Sequence, residues 1–314
     1  MTSEEALTLI ESASDPRALF GEDPARQFRK LARLTHPDTH PGNRRTAEAF
    51  AKLATLWQRR GASRPGRLVA AGDLANLYEH ELGLLKIARD PADNDLIERE
   101  AGALTTLRAK AGKRHLPYVP DLVESQLHKD PATGTVRRAN VIAKLEGFVT
   151  LAEVKAAYPD GLDPRDAAWM WRRLLVAIGL AGQAGLIHAA VIPEHVLIHP
   201  GDHGLVLVDW CYAITGPAGR PVALPARYSG WYPQEIRDRQ PAGPDLDIYL
   251  ASKCLADLIG DGIPKQLAAF VRGCTLTNPS RRPRDAWRLL GELDEILGRL
   301  YGARKFREFT MKGS

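Results

Sequence analysis

The residues whose types and spacing could support chemistry are concentrated between His188 and Cys211. A histidine-led loop opens this stretch. Two aliphatic runs, residues 196–198 and 205–208, then flank a turn rich in Gly and Pro, which predicts a β-hairpin. Asp209 directly follows the second run. Histidine serves in proton transfer and metal binding, and a carboxylate is a ligand for hard cations, so both chemistries are open here.

This layout resembles the catalytic loop of a protein kinase, which runs into a metal-binding aspartate. The loop of that family reads H-R-D-x-x-x-x-N. In this chain His188 is kept, Ala189 and Ala190 occupy the places of Arg and Asp, and His195 occupies the place of Asn. The resemblance therefore implies a kinase-like scaffold from which the usual catalytic base is absent, that is, a pseudokinase.

Upstream residues extend the same resemblance. Lys86, in Leu-Leu-Lys-Ile-Ala, resembles the lysine of the third kinase strand, and Glu100, on a helix predicted over residues 95–107, resembles its partner glutamate. Glu98 is the alternative partner. A lysine on an apolar strand needs a carboxylate or a phosphate, because an unpaired buried ammonium is costly. A structural Lys86–Glu100 ion pair without nucleotide is therefore the competing interpretation.

Further motifs follow in the order found in kinases. Residues 141–148 resemble the hinge, where the backbone around Glu146 would face an adenine. Asp247 resembles the aspartate that ties down the catalytic loop. Pro-Gln-Glu, ending at Glu235, resembles the A-P-E motif, and Arg282 resembles the arginine that pairs with its glutamate. No single motif is decisive, but their order and spacing make the resemblance specific.

The first sixty residues have a different pattern. Helices are predicted over residues 4–12, 24–35 and 45–59, and basic positions recur at helical spacing on the second of them. His-Pro-Asp lies between the second and third helices. This arrangement resembles a J domain, the module that stimulates a DnaK-type chaperone; the alternative is a helical hairpin with a solvated charged face. By resemblance, the residues that would dock on the chaperone and trigger its ATPase are Arg26, Arg29, Lys30, Arg33, His36, Pro37 and Asp38.

We therefore predict a multidomain α+β protein in which a helical J-like domain precedes a bilobal kinase-like domain. The J-like domain covers residues 1–60 and a linker covers residues 61–66. The kinase-like small lobe covers residues 67–149, and the large lobe covers residues 150–314.

Composition narrows the function classes. The 44% hydrophobic and 26% charged residues are typical of a globular protein. The net charge of +5 is spread along the chain, so we expect no nucleic-acid partner. The apolar segment around residues 174–192 is interrupted by polar residues, so we expect no membrane partner. Three widely separated cysteines and the lack of a signal-peptide pattern favour a cytoplasmic protein.

The resemblance implies ATP and Mg²⁺ as ligands, held by Lys86, Glu100 and Asp209. Asp209 is the metal-ligand candidate and His195 is a second, although imidazole suits zinc better than magnesium. A zinc site built from histidines is an alternative, in which His199 and His203 would join the two loop histidines.

Three functional hypotheses remain open on the sequence. In the first, the chain is a J-domain co-chaperone whose kinase-like part binds a client or a nucleotide and presents the client to a DnaK-type chaperone. In the second, it is a divergent kinase that uses another base, Glu194 or Asp202. In the third, both parts are inert docking surfaces of an adaptor.

Overall fold

A computed structural model describes residues 1–21, 24–37, 40, 42–60, 65–216 and 219–312. The fold is mixed, 53% helical and 15% strand, with a multi-stranded antiparallel sheet, which confirms the α+β class. The chain divides into two compact units. The first comprises Met1–Asn94 and Val123–Ile142, and the second comprises Asp95–Leu122 and Ala143–Ser314.

The first unit begins with four helices. They are α1 (Ser3–Ser12), α2 (Pro16–Phe20), α3 (Pro24–Thr35) and α4 (Arg44–Arg60). The helix predicted over residues 24–35 is confirmed, and it starts with proline in its first turn, where the missing N–H costs nothing. Their apolar faces meet in one buried cluster formed by Ala6, Leu7, Ile10, Leu19, Phe20, Leu31, Ala49, Leu53 and Leu56.

A five-stranded sheet completes the first unit. Its strands are β1 (Leu68–Ala71), β2 (Ala75–His80), β3 (Gly83–Ala88), β4 (Leu122–Lys129) and β5 (Val136–Ile142). Their spatial order is β1-β2-β3-β5-β4, and β3 runs antiparallel to both of its neighbours.

Strand β3 carries Lys86, which lies opposite Leu77 on β2 and Asn140 on β5. Leu85 and Ile87 belong to a buried apolar cluster of this sheet. Because successive side chains of a strand point to opposite faces, Lys86 projects from the other face.

The second unit starts with α5 (Asn94–Lys110), which is followed by a 3₁₀ helix, Lys113–Tyr118. From the sequence we predict a strand over residues 115–129, and the first part of this prediction is wrong, since β4 starts only at Leu122. Pro117 explains the difference, because proline has no N–H to donate to a strand ladder.

The rest of the second unit is mainly helical. Its elements are β6 (Val149–Thr150), α6 (Leu151–Ala157), α7 (Pro164–Gln183), β7 (Leu186–Ile187), β8 (Val196–His199), β9 (Gly204–Leu207), β10 (Ile214–Thr215), α8 (Gln234–Arg237), α9 (Asp245–Ile259), α10 (Lys265–Cys274) and α11 (Ala286–Tyr301). The helices α7 and α9 are buried along most of their length and form its centre. The short strands form two small sheets, β6-β8-β9 and β10-β7. Among the described helices, none combines the length and the apolar composition needed to span a bilayer.

Candidate functional site

The candidate site is built on the loop between β7 and β8, whose backbone is fixed by Asp247. The two carboxylate oxygens of Asp247 accept hydrogen bonds from the backbone N–H groups of His188, at 2.7 Å, and Ala189, at 2.8 Å. The Tyr232 hydroxyl donates to the Ala189 carbonyl at 2.8 Å. Ala189 has a φ of 62°, a costly conformation for alanine that these three bonds hold in place.

Asp247 lies in the first turn of α9 and is almost fully buried. Burial raises the pKa of this carboxyl to about 7, although its two backbone hydrogen bonds oppose the shift. Its protonation is therefore coupled to folding.

The side chain of His188 is held by hydrogen bonds to the backbone. Its Nε2 donates to the Val208 carbonyl at 2.9 Å, and its Nδ1 accepts from the Ala190 N–H at 3.2 Å. A carbonyl can only accept and an N–H can only donate, so the ring is the neutral Nε2–H tautomer. Both ring nitrogens are occupied, and the neighbouring buried residue Ala190 offers only a methyl group.

His195 and Asp209 lie at the open end of the β8–β9 hairpin, opposite its turn. His195 Nδ1 donates to the Ala190 carbonyl at 2.9 Å. In the neutral ring Nε2 then carries the lone pair, and this atom lies 3.4 Å from Asp209 Oδ2. The sequence placed both residues among the candidates, and the structure brings them together.

Two further donors lie beside Asp209. Among the described residues, ligand atoms of Glu100, Asp209 and Cys211 all lie within 4.8 Å of one another. Glu100 Oε1 also accepts the backbone N–H of Trp210 at 3.2 Å. Sequence reasoning missed Cys211 as a ligand, although its position two residues after Asp209 was a usable signal.

This donor set does not fit the Mg²⁺ that the kinase resemblance implies. Mg²⁺ prefers an octahedron of oxygen ligands and retains several waters. The resemblance would put His195 in the place of the asparagine ligand, and the Cys211 thiol lies within the same cluster as Asp209. A thiolate and an imidazole are ligands for softer ions, so this donor set favours such ions over Mg²⁺.

The remaining nucleotide candidates are Lys86 and Glu146. Lys86 belongs to the first unit and is only 5% exposed. Its pairing with Glu100, of the second unit, stays a prediction. Glu146 lies on the segment between β5 and β6, where its exposed side chain pairs with Lys144 at 2.9 Å. The next residue, Gly147, has a φ of 73°, which suits a tight turn at the predicted hinge.

The two proposed substitute bases, Glu194 and Asp202, lie in different surroundings. Glu194 Oε1 accepts hydrogen bonds from Arg227 Nη1 at 2.8 Å and from the Tyr228 hydroxyl at 2.9 Å, so this oxygen is already engaged. Asp202 lies in the hairpin turn, whereas Asp209 follows the far end of β9. Four strand residues separate the two ends by roughly 14 Å.

The other two histidines make local contacts in the hairpin. His199 Nδ1 accepts the backbone N–H of Asp202 at 3.1 Å. His203 stacks on Trp169, with ring centroids 4.1 Å apart, and on Phe306 at 4.5 Å. These positions serve the packing of the turn rather than the histidine-based zinc site considered above.

A buried ion pair stabilises the second unit. Arg282 Nη1 pairs with Glu235, and it donates to Asp245 Oδ2 at 3.3 Å. The side chain of Arg282 is only 1% exposed. The predicted pairing of Arg282 with Glu235 is therefore confirmed.

The predicted chaperone-docking residues lie on α3 and directly after it. Helix α3 ends at Thr35 and α4 begins at Arg44, so His36 and Pro37 lie in the connection between them. The ring of His36 packs edge-on against Phe50, with centroids 5.1 Å apart. Asp38 lies outside the described residues. The four basic residues of the predicted docking face are all exposed: Arg26, Arg29, Lys30 and Arg33.

Comparison with protein-family models and with curated protein sequences found no match to this chain. The functional assignment therefore depends on the residues and contacts described above.

Proposed function

We propose that this protein is a J-domain co-chaperone whose kinase-like part is a pseudokinase that binds a client and presents it to a DnaK-type chaperone. One observation carries the kinase-like half of this proposal. Asp247 holds the backbone of His188 and Ala189, as expected for a kinase catalytic loop, yet an alanine follows at the position of the base.

The loss of the base has a definite chemical consequence. A general base accelerates proton transfer typically by about 10²–10⁴-fold. The methyl group of Ala190 can neither accept a proton nor orient a hydroxyl, and both nitrogens of His188 are engaged in hydrogen bonds. The loop is thus suited to fold stability and binding rather than to phosphoryl transfer.

The chaperone half is supported by charge and placement. Exposed basic residues at helical spacing on α3 form a positive face, and such a face steers association with an acidic partner. His36 and Pro37 follow this face directly, in the connection to α4. The same surface would therefore both attract the chaperone and carry the triggering residues.

The test is the ATPase rate of a cognate DnaK-type chaperone with and without the full chain. We expect stimulation by the unaltered chain and its loss in His36→Gln. His40→Gln is the matched control, because His40 lies in the same connection and its ring contacts the Leu34 carbonyl at 3.2 Å. Stimulation that survives His36→Gln, or none from the unaltered chain, would remove the co-chaperone function.

A further inference from the structure

We propose that Glu100, Asp209 and Cys211 form a binding site for a transition-metal ion of the zinc class, with His195 as the fourth donor. The proposal goes beyond the co-chaperone function and requires no nucleotide. It replaces the magnesium site of an active kinase with a site of different selectivity.

The first argument is geometric. Zinc bonds to nitrogen and carboxylate oxygen are about 2.0–2.2 Å long, so two such ligands on a tetrahedral ion lie roughly 3.3–3.5 Å apart. The separation of His195 Nε2 and Asp209 Oδ2 is 3.4 Å. These two atoms are thus already spaced as the edge of such a tetrahedron.

The other donors lie near one another but would have to move closer to bind one ion. The ligand atoms of Glu100, Asp209 and Cys211 lie within 4.8 Å of one another. A zinc–sulfur bond is about 2.3 Å long, so the corresponding sulfur–oxygen edge is roughly 3.6 Å. The three ligand atoms would therefore have to approach one another when an ion binds, and His195, which contacts Asp209 but is not one of these three, would have to turn toward the same point.

The second argument is the chemistry of the donors. A thiolate, an imidazole and two carboxylates form a mixed set that favours zinc and related ions over Mg²⁺. Metal binding would require the Cys211 thiol to deprotonate, and its proton would be released to solvent.

The third argument is that surrounding groups already orient the ligands. The Ala190 carbonyl fixes His195 through Nδ1, which aims Nε2 at Asp209. The Trp210 N–H holds Glu100. Outer hydrogen bonds of this kind set the orientation and basicity of metal ligands. The Asp209 side chain is 28% exposed, which gives an ion access to a cluster whose other members are largely buried.

The experiment is a Co²⁺ titration of the full chain without nucleotide. Binding is measured by the charge-transfer absorption between a thiolate and the cobalt ion. We expect one equivalent of Co²⁺ to produce this band and Cys211→Ser to abolish it. Cys254→Ser and Cys274→Ser are matched controls, since both thiols are buried elsewhere in the same unit, and they should retain the band. Zn²⁺ should displace the Co²⁺, whereas millimolar Mg²⁺ should not.

A second variant covers the case in which Cys211→Ser does not fold. His195→Gln keeps the thiol and should weaken Co²⁺ binding on the order of tenfold or more. The proposal would be overturned if the unaltered chain gave no band, or if the band survived in folded Cys211→Ser. It would also be overturned if His195→Gln bound Co²⁺ with unchanged affinity, or if Mg²⁺ readily displaced the Co²⁺. The titration contains no chaperone and no ATP, so its result is independent of the proposed function.

Discussion

Asp247 and Ala189 are joined by a 2.8 Å hydrogen bond from the alanine N–H to the buried carboxylate. This bond helps to hold Ala189 at a φ of 62° and so sets the course of the loop that ends at His195. Because Asp247 also accepts a hydrogen bond from the N–H of His188, one side chain on α9 fixes the backbone of two successive residues at the start of this loop.

The pH dependence of stability should reveal the protonation state of Asp247 in the folded chain. An unfolded chain loses this proton near the ordinary pKa of 3.8, whereas the folded chain keeps it up to a pKa of about 7. The folded state therefore binds more protons between these values, and its stability falls as the pH rises.

We expect the unaltered chain to lose roughly 3 kcal/mol relative to Asp247→Asn between pH 4 and pH 7. The measurement is urea unfolding of both chains at several pH values. A difference that stays constant, or that grows in favour of the unaltered chain as the pH rises, would contradict this account.

His203 should make the stability of the fold depend on pH in the opposite direction. Burial lowers the pKa of this histidine, with a further contribution from Arg173. The unfolded chain then takes up the proton near pH 6.5 while the folded chain resists it, so stability falls as the pH drops below this value. His203→Phe retains the stacked ring between Trp169 and Phe306 and cannot be protonated. Thermal melts from pH 8 to pH 5 should show a smaller acid-induced decrease in this variant, and equal decreases would count against the prediction.

Arg282 should be far more important for stability than its neighbour Arg284. Removing Arg282 leaves the buried carboxylate of Asp245 and the partly exposed carboxylate of Glu235 without their main partner, and breaking a buried pair in this way costs about 3–5 kcal/mol. Arg284 is 58% exposed and lies 3.8 Å from Asp245, so Arg284→Ala should cost less than about 1 kcal/mol. Chemical unfolding of Arg282→Ala and Arg284→Ala tests this contrast. Similar losses in the two variants would argue against a buried ion pair.

Local sequence signals predicted much of the fold. Pro24 and the apolar positions around Leu31 marked α3, and the Gly- and Pro-rich turn marked the hairpin of β8 and β9. These features depend on neighbouring residues alone, so the sequence suffices to predict them. The pairing of Arg282 with Glu235 was also predictable, but only through the order of motifs in a resembling family.

Other parts of the site depend on contacts between distant segments. Glu100 lies on α5, whereas Cys211 lies after the hairpin, and no local periodicity places the two side chains together. The engagement of Glu194 by Arg227 and Tyr228 is likewise a tertiary contact. The sequence therefore offered Glu194 as a base, and only the folded structure shows that one of its oxygens is occupied.

The most direct test of the central claim is transfer of radiolabelled phosphate from ATP by the full chain, with Lys86→Met as the reference. The absence of a base at Ala190 predicts that neither chain labels itself or added protein above background. Labelling by the unaltered chain that disappears in Lys86→Met would show an active kinase and contradict the account.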